Sequence, residues 1–465
     1  MYIEQIYTGC LAQGAYYIES EGEVAIIDPL REVQPYIERT TREGATIKYI
    51  FETHFHADFV SGHVTLSEKT SAPIIYGPQA NPAFEAIIAE DGQIFPLGKV
   101  RIKVLHTPGH TMESTTYLLI DENGRDHAIF SGDTLFLGDV GRPDLAQKAA
   151  DLTQEQLAET LFDSLRNKIM PLADDVIVYP AHGAGSACGK NMMKETVDTL
   201  GNQKRMNYAL RADMTKAEFV REVTDGLAPP PAYFPLNVKL NKEGYESIDQ
   251  VLAKGTRALS PRAFEAAANE TGALVLDVRH QDDFSAGHVP RSIFIGLNGS
   301  FAPWVGALVQ DVQQPILLVV DEGKEEEAVT RLSRVGFDNT IGYLEGGFGA
   351  WKAAGLDFDH LQGISAEALA EETTAIIVDV RKCSEYKTAH ISGARNHDLD
   401  NLNEHLASLP KEETFYVHCL SGYRSVIAAS ILKARGFHNL VDVKGGFKAM
   451  HAAGMPLAQE NESVS

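Results

Sequence analysis

The sequence predicts the α/β fold class, with strands and helices alternating in three domains. The chain has 465 residues, too many for one hydrophobic core, and 44% of them are apolar, an ordinary globular share. In its first part, strand-like runs end again and again in loops with His or Asp. In its second part, a pattern of strands and helices occurs twice, 102 residues apart. We expect a first domain over 1–245 and two smaller α/β domains over 255–358 and 359–465.

The acidic composition and the few cysteines restrict the partners and the compartment. A formal net charge of −23 and a pI near 5.1 repel phosphate backbones and anionic lipid, so we expect neither nucleic acid nor a membrane as partner. The N-terminus has neither a basic region nor a long apolar run, which favours a cytoplasmic protein. The cysteines are too few and too scattered for a disulfide framework, and we expect four free thiols: Cys10, Cys188, Cys383 and Cys419.

Short β-rich runs separated by turns open the first domain, and each run is apolar enough to be buried. Apolar residues at helical spacing predict a helix over 33–42 between two of these runs. Later runs follow the same pattern of apolar strand and polar loop. The predicted strands are 14–18, 23–27, 47–51, 73–76, 100–105, 115–120, 128–130 and 176–179.

Residues that can bind metals follow several of these strands. The strand 47–51 leads into His54-Phe55-His56-Ala57-Asp58, which places two imidazoles and a carboxylate at alternate positions. His110 lies between two later strands, and Asp133 and His182 each come shortly after a strand. Strands that end in such loops bring distant side chains to one edge of a sheet. Because His and Asp are both metal ligands at pH 7, the sequence predicts a metal site at that edge.

The order of these residues resembles that of the metallo-β-lactamase superfamily over about the first 245 residues. The stretches 131–136, 138–144 and 179–183 are most similar to its persulfide dioxygenase branch. The resemblance implies an αβ/βα sandwich with the metal at the sheet edges. Where two-metal hydrolases of this fold carry a His after the Asp, this chain has Phe59, which removes one ligand from the second metal position.

The resemblance also implies a metal and its ligands. It assigns one Fe(II) per chain to His54, His110 and Asp133, with zinc as the alternative metal. Two neutral nitrogens and one carboxylate form a facial set that leaves open positions for O2 and a substrate thiolate. His56, Asp58 and His182 then become pocket residues around the metal.

Three further residues are candidates for the same pocket. Arg142 and Tyr179 are candidates for holding the thiol carrier, with a structural salt bridge or a packing role as the alternatives. Cys188, six residues after His182, is a candidate for holding sulfur, and a small buried thiol is the alternative.

The residues from about 226 to 245 separate the two halves of the chain. The segment 226–235 contains four prolines and breaks every periodic pattern, so it is predicted to be extended and held by its aromatic residues. Beyond it, the chain repeats itself. Each copy alternates strands and helices over about 100 residues, which predicts two small domains with mainly parallel sheets. The matched features, expected to be structural, are Asp277 with Asp379, His288 with His390, and the Gly-Gly-Phe runs 346–348 and 445–447.

The two copies differ in one loop. In the second copy a strand leads to Cys419 and a short loop, which is followed by Arg424 and a helix expected to start near Ser425. The backbone N–H groups of this loop, the helix N-terminus and Arg424 favour a thiolate and can hold an added anionic sulfur. The residues expected to form this cradle are Leu420, Ser421, Gly422, Tyr423 and Ser425.

The Cys419 loop resembles that of rhodaneses, the sulfurtransferases. A cysteine-dependent phosphatase is the rival, but it needs five residues between Cys and Arg, and here there are four. The first copy carries Asp321 at the position of the cysteine, and no cysteine lies between Cys188 and Cys383. We therefore expect the first copy to be a degenerate domain and the second to be competent in catalysis.

The two resemblances together imply a metallo-β-lactamase sandwich followed by two rhodanese-like domains, the fusion of a persulfide dioxygenase with a sulfurtransferase. The expected reactants and products are a low-molecular-weight thiol persulfide, O2, sulfite and thiosulfate. Two alternatives stay open: a binuclear-zinc thioester hydrolase of the glyoxalase II type, and a sulfur carrier that docks partner proteins. The sequence does not identify the thiol, and it leaves open whether the chain forms a homo-oligomer.

Overall fold

The computed structural model of the chain describes residues 1–227, 229–372 and 374–459. The chain divides into two compact units. The first contains residues 1–248 and 333–336, and the second contains residues 249–332 and those from 337 onward. Within the described ranges, none of the helices is both long and apolar enough to cross a bilayer.

The first sheet of the first unit has six strands in their sequence order. Its first three strands are antiparallel, and its last three continue in parallel to the third. Parallel neighbours need a crossover connection, which helices α1 (Gln34–Glu43) and α2 (His63–Thr70) provide. The strands are β1 (Tyr2–Thr8), β2 (Gln13–Ser20), β3 (Glu23–Ile27), β4 (Thr46–Phe51), β5 (Ile74–Tyr76) and β6 (Ile87–Ile88).

The second sheet also has six strands, in the spatial order β12-β11-β10-β9-β8-β7. They are β7 (Ile94–Leu97), β8 (Val100–His106), β9 (Thr115–Ile120), β10 (Asp126–Gly132), β11 (Ile177–Pro180) and β12 (Asp198–Thr199). The further helices of this unit are α3 (Gln147–Ala150), α4 (Gln154–Ser164) with a π-helical turn at Leu165–Ile169, α5 (Leu200–Met206), α6 (Lys216–Thr224) and α7 (Phe234–Glu243). Helix α8 (Ile248–Gly255) begins at the last residue of the first unit and otherwise belongs to the second. A 3-10 turn, Tyr208–Leu210, follows α5.

The two sheets pack face to face and carry helices on their outer faces. Between them lies an apolar layer that includes Phe51 and Ile75 from one sheet and Tyr117 and Phe130 from the other. Helices α1 and α2 cover the outer face of the first sheet, and α4 and α6 cover that of the second. This arrangement confirms the predicted αβ/βα sandwich.

The second unit repeats one α/β plan twice. Each copy has a five-stranded parallel sheet, in the orders β13-β17-β16-β14-β15 and β18-β23-β22-β19-β21. The first copy contains β13 (Ala258–Leu259), α9 (Pro261–Thr271), β14 (Leu274–Asp277), α10 (Gln281–Ala286), β15 (Ile293–Phe294), α11 (Phe301–Leu308), β16 (Ile316–Val319), α12 (Glu325–Ser333), β17 (Thr340–Leu344) and α13 (Gly347–Ala353). The parallel sheets confirm the predicted class of both copies.

The second copy follows the same order, with a small antiparallel pair, β20 and β24, added. Its elements are β18 (Gly363–Ile364), α14 (Ala366–Ala370), β19 (Ile376–Asp379), α15 (Cys383–Thr388), β20 (His390–Ile391), β21 (Arg395–Asn396), α16 (Leu402–His405), β22 (Phe415–His418), α17 (Tyr423–Ala434), β23 (Leu440–Val443), α18 (Gly446–Ala452) and β24 (Leu457–Ala458). Single 3-10 turns, Leu399–Asn401 and Leu406–Ser408, flank α16.

The residues matched between the copies form the same internal contacts in both. Asp379 holds Arg381 through hydrogen bonds of 3.0 and 2.6 Å, and the guanidinium lies over the Phe447 ring. His390 stacks on Tyr386 and its Nδ1 contacts the carbonyl of that residue at 2.9 Å. Asp277, Arg279, Phe348, His288 and Phe284 make the equivalent contacts in the first copy.

One sequence-based boundary was wrong, and a second differs from the structure by two residues. The segment predicted to be extended gives way to α7 from Phe234, because Pro235 stands in the first helical turn, where it costs no hydrogen bond. Ala228 of that segment lies outside the described residues. Helix α17 begins at Tyr423, two residues before the expected Ser425, because Gly422 already adopts a left-handed backbone as its N-cap, with φ of 112°.

Candidate metal centre and candidate sulfur-transfer site

Four strand ends of the first unit meet at one place. β10 and β11 are parallel neighbours, so Asp133 and His182 emerge at the same edge of the second sheet. β4 delivers His54, and the loop between β8 and β9 delivers His110. The structure brings His54, His110 and Asp133 together, with possible ligand atoms within 4.8 Å of one another, and buries all three.

The protonation pattern of the two histidines suits metal binding. His110 Nδ1 lies 2.8 Å from the Arg142 carbonyl, which can only accept, so Nδ1 carries the proton and Nε2 keeps its lone pair. The Thr53 hydroxyl donates to Asp28 and therefore accepts from His54 Nδ1. His54 Nε2 and His110 Nε2 then face the same Asp133 oxygen at 3.8 and 3.4 Å.

The surroundings of this group fit a cation. Both carboxylate oxygens of Asp133 lack a hydrogen-bond partner among the described residues, although the side chain is almost fully buried. A buried carboxylate without donors is costly unless a cation compensates it. Burial and the rings of His56 and His110 hold the pKa of His54 well below its usual value, which keeps that imidazole neutral. The residues present therefore fit a metal ion.

His56 is turned towards a different set of carboxylates. Its Nε2 lies 3.0 Å from Asp28 and 3.6 Å from Glu52, and all three side chains are buried. Burial and the Asp28 carboxylate raise the pKa of Glu52 well above its usual value. His56 instead forms a second buried group with Asp58 and His182, whose ligand atoms lie within 4.8 Å of one another. A role for His56 as a pocket residue around the metal stays a prediction.

Asp58 and His182 form a second group on the other side of Asp133. His182 Nε2 lies 3.4 Å from Asp58 and 3.5 Å from the second oxygen of Asp133. Burial alone raises the pKa of Asp58, but His182 outweighs it, and the net shift is downward. Phe59 occupies the neighbouring volume, with its ring 4.5 Å from that of His56. A phenyl ring offers no ligand atom, so Phe59 adds none to the buried group of His56, Asp58 and His182.

Cys188 lies at the same centre. Its sulfur is within 4.8 Å of ligand atoms of Asp133 and His182, and the residue is buried. Burial raises the pKa of the Cys188 thiol to about 12, so it stays protonated in this arrangement. Sequence reasoning did not single out Tyr233, which is buried. Burial raises the pKa of Tyr233, and the Asp58 carboxylate adds to the shift. Its only signal was its position in a proline-rich segment.

Arg142 and Tyr179 make structural contacts. Arg142 forms a two-pronged ion pair with Asp144, at 2.7 Å for both hydrogen bonds, and its backbone carbonyl orients His110. Tyr179 lies in the layer between the sheets, stacked on Phe130 with ring centroids 5.2 Å apart. Arg142 thus forms a structural salt bridge and Tyr179 has a packing role. A role in holding the thiol carrier stays a prediction for both.

The Cys419 loop closes around the sulfur. Gly422 donates its backbone N–H to Cys419 Sγ at 3.1 Å, and Cys419 is buried at the end of β22. Phe447 donates its N–H to the Cys419 carbonyl at 2.7 Å. Gly446 packs so closely that an added Cβ would lie 2.4 Å from that carbonyl oxygen. The Gly-Gly-Phe run therefore shapes the back of the loop.

The remaining predicted loop residues occupy different positions. Leu420 accepts a hydrogen bond from the Lys448 N–H through its carbonyl, and Ser421 is exposed at the tip. Ser425 is buried and donates to the Gly422 carbonyl at 3.2 Å. Arg424 forms a two-pronged ion pair with Glu385 of α15, at 2.6 and 2.9 Å. Sequence reasoning missed Glu385, which offsets part of the positive charge expected beside Cys419.

The first copy has a different residue at the position of Cys419. Asp321 follows β16 where Cys419 follows β22, and it lines a pocket of about 260 Å³ together with His280, Lys324 and Glu327. A carboxylate cannot accept sulfane sulfur as a thiolate does. This pocket therefore lacks the nucleophile, as the sequence predicts.

Family models match both halves of the chain. The model described as the metallo-beta-lactamase superfamily matches residues 8–182, and that of the rhodanese-like domain matches residues 260–354 and 365–453. The chain is similar to the crystal structure of a metallo-beta-lactamase from Staphylococcus aureus subsp. aureus COL, with 31% sequence identity and a TM-score of 0.65. The match covers 74% of this chain and 98% of the staphylococcal chain.

Two curated relatives match parts of the chain. The human mitochondrial persulfide dioxygenase is 28% identical over 221 residues, which are 47% of this chain and 78% of the relative. The hydroxyacylglutathione hydrolase of Tolumonas auensis is 33% identical over 171 residues, 36% of this chain and 60% of the relative. The chain thus spans only about three fifths of that hydrolase. On the family matches and the staphylococcal relative, the chain belongs to the metallo-beta-lactamase superfamily and carries two rhodanese-like domains behind that domain.

Proposed function

We propose that the chain is a persulfide dioxygenase joined to a sulfurtransferase. In the first unit a persulfide would be oxidised by O2, RSSH + O2 + H2O → RSH + SO3²⁻ + 2 H⁺. In the second unit Cys419 would take the outer sulfur of another persulfide, RSSH + Cys-SH → RSH + Cys-SSH. Sulfite would then remove it as thiosulfate, Cys-SSH + SO3²⁻ → Cys-SH + S2O3²⁻. The reduced thiol is regenerated in each half.

One observation carries this proposal: His54, His110 and Asp133 form a buried group of two imidazoles and one carboxylate, with ligand atoms within 4.8 Å of one another. A set of two nitrogens and one carboxylate is typical of mononuclear non-haem iron sites with open positions. The similarity to the human persulfide dioxygenase and the presence of rhodanese-like domains support the same assignment.

The chain's own residues would prepare the first site for this reaction. A bound ferrous ion supplies the activation of O2 and a position for the persulfide sulfur. The Arg142 carbonyl and the Thr53 hydroxyl hold the Nδ1 protons of His110 and His54, so both rings present Nε2. The sheet edges bury the site and exclude bulk water, which protects a reactive sulfur from side reactions.

The second site would use the loop around Cys419. The Gly422 N–H points at the sulfur, and the N-terminus of the twelve-residue helix α17 starts directly behind it. Both favour an anionic sulfur at this place. Joining the two sites on one chain keeps the sulfite produced by the first near the second.

The second candidate function is a zinc-dependent thioester hydrolase with two metals. The buried group of His56, Asp58 and His182 favours it, because its ligand atoms lie within 4.8 Å of one another beside the first group. The similarity to hydroxyacylglutathione hydrolases supports the same alternative. Phe59 opposes it, because it follows Asp58 where two-metal hydrolases of this fold carry a His, and a phenyl ring offers no ligand atom.

Metal analysis of protein purified without oxygen, combined with O2 uptake on a synthetic persulfide, tests the proposal. We expect about one iron per chain, and we expect the variants His110→Ala and Asp133→Ala to lose both iron and O2 uptake. His127→Ala is the matched control, because His127 lies on the same strand β10 away from the ligand group. Two tightly bound zinc ions with thioesterase activity would overturn the proposal in favour of the hydrolase.

A further inference from the structure

The side chain of Tyr423 leaves the Cys419 loop and enters the preceding copy. Its hydroxyl donates to the Gly296 carbonyl at 2.6 Å, and its ring meets that of Phe294 edge-on, with centroids 5.8 Å apart. Burial raises the pKa of Tyr423 above its usual value, so the phenol keeps the proton that it donates. Tyr423 is the first residue of α17 and follows Gly422, whose N–H reaches Cys419 Sγ.

The receiving loop, residues 296–299, is held in place by its own domain. Arg331 of α12 donates to the carbonyls of Leu297 and Gly299, at 2.6 and 3.3 Å. A Cβ added to Gly299 would lie 2.3 Å from Cζ of Tyr423 and 2.7 Å from its ring edges. The backbone of Gly299 is outside the left-handed region, so glycine is required there for space and not for conformation.

A second contact ties the same helix to the same region. The Phe294 N–H donates to the Ser430 hydroxyl at 3.0 Å, and Ser430 lies two turns further along α17. Helix α17 is thus attached to β15 and its following loop at two points. A helix fixed at both points cannot shift or rotate without breaking one of them.

We propose that the copy without a nucleophile positions the Cys419 loop, with Tyr423 as the positioning residue and Gly299 as the position that receives its ring. This inference rests on the proposed sulfurtransferase activity of Cys419. The Tyr423 anchor holds the first turn of α17, and therefore the Gly422 N–H, at hydrogen-bond distance from the sulfur. The degenerate copy would then have a direct geometric function in the chemistry of its neighbour.

Substitutions on the two sides of the contact test this inference. Gly299→Ala changes only the degenerate copy and pushes the Tyr423 ring away, whereas Tyr423→Phe removes the hydroxyl and keeps the ring. Gly349→Ala is the matched control, because it adds the same methyl group in the same copy with nothing within 4 Å. The full chain is used, and sulfur transfer from thiosulfate to cyanide is measured together with the lifetime of the Cys419 persulfide.

We expect kcat/KM for sulfur transfer and the persulfide lifetime to fall about tenfold in Gly299→Ala, since small displacements of catalytic groups have effects of this order or larger. Tyr423→Phe should fall about threefold, as expected for one neutral hydrogen bond. The double variant should lose no more sulfur-transfer activity than Gly299→Ala alone, because both substitutions disrupt the same contact. The O2 uptake of the first unit should stay unchanged throughout.

The outcomes separate this inference from the proposed function. If Cys419→Ser retains normal sulfur transfer, the proposed function of the second unit is wrong. If Cys419→Ser abolishes transfer while Gly299→Ala and Tyr423→Phe both match Gly349→Ala, the positioning inference alone is overturned. Should Gly299→Ala fail to fold, as judged by its melting temperature, Tyr423→Phe and its persulfide lifetime still decide the question.

Discussion

Asp133 and Asp442 are both buried carboxylates, and their surroundings differ in kind. Three imidazole nitrogens lie within 3.8 Å of the Asp133 oxygens, an arrangement that suits a bound cation. Around Asp442, by contrast, burial raises the pKa to about 6, Ser425 opposes the shift and Asp282 adds to it. Imidazoles thus surround one carboxylate, whereas burial raises the pKa of the other.

The raised pKa of Asp442 gives a prediction at the residue scale. Because the folded value of about 6 exceeds the ordinary 3.8, the folded chain binds more protons between these values. Stability therefore falls as the pH rises from about 4 to about 6, by about 3 kcal/mol at most. Asp442→Asn, which stays neutral, should melt at a higher temperature than the parent protein at pH 8, and its advantage should shrink at pH 5. Equal melting temperatures at pH 8 would contradict the prediction.

The sequence predicts which residues follow a strand, but it does not predict which hydrogen-bond or ion-pair partners from distant parts of the chain they contact. The structure places His54, His110 and Asp133 together. The sequence argument expected the edge of one sheet, whereas His54 follows β4 of the first sheet and the other two follow strands of the second. Glu385, 39 residues before Arg424, could not be predicted, because ion pairs across a domain leave no local pattern. The same holds for Tyr423, whose acceptor Gly296 is 127 residues away.

At the scale of elements, the turn that starts α18 supports the Cys419 loop. Gly445 and Gly446 both have a left-handed backbone, with φ of 76° and 56°, and Gly446 lies against the Cys419 carbonyl. Side chains are disfavoured at such positions for their conformation, and at Gly446 for lack of space as well. The glycine pair thus lets α18 begin directly behind the loop.

Gly446→Ala should therefore lower the rate of sulfur transfer by more than the strain of a left-handed backbone alone would. Its Cβ would lie 2.4 Å from the Cys419 oxygen, so the loop or α18 must move. Gly454→Ala is the control, since Gly454 also has a left-handed backbone, with φ of 79°, but nothing within 4 Å of an added Cβ. We expect a loss of about tenfold or more in transfer rate for Gly446→Ala only. Similar rates for the two variants would show that the close approach does not matter.

Strands and helices with clear periodicity were predicted well, and irregular segments less well. The predicted strands 23–27 and 115–120 coincide with β3 and β9, because alternation and apolar runs reflect burial between the sheets. The proline-rich segment before Phe234 misled the prediction, since a proline that opens a helix has the same composition signal as one that breaks it. The π-helical turn after α4 carries no recognisable signal in the sequence.

At the scale of the whole molecule, the proposed function combines two reactions that would share sulfite as an intermediate. If they act in sequence, Cys419→Ser should leave iron content and O2 uptake close to those of the parent protein. The product should shift from thiosulfate to sulfite, because a serine hydroxyl cannot form a persulfide. The measurement is product analysis under conditions where sulfite and persulfide do not react unaided.

Thiosulfate formed at the normal rate by Cys419→Ser would show that sulfur transfer takes place elsewhere. Cys188, buried beside Asp133 and His182, would be the first residue to examine in that case. The exposed Cys383 is a poorer candidate, because it lies at the start of the short helix α15 and not in a loop between a strand and a long helix.

The close fit of Gly299 against the Tyr423 ring has a consequence for how this chain can evolve. A duplicated domain that has lost its nucleophile is usually free to accumulate substitutions wherever its own fold tolerates them. Here any mutation that gives residue 299 a side chain collides with the neighbouring copy. If selection maintains sulfur transfer at Cys419, it therefore also acts on residue 299, although this residue belongs to the copy without the cysteine.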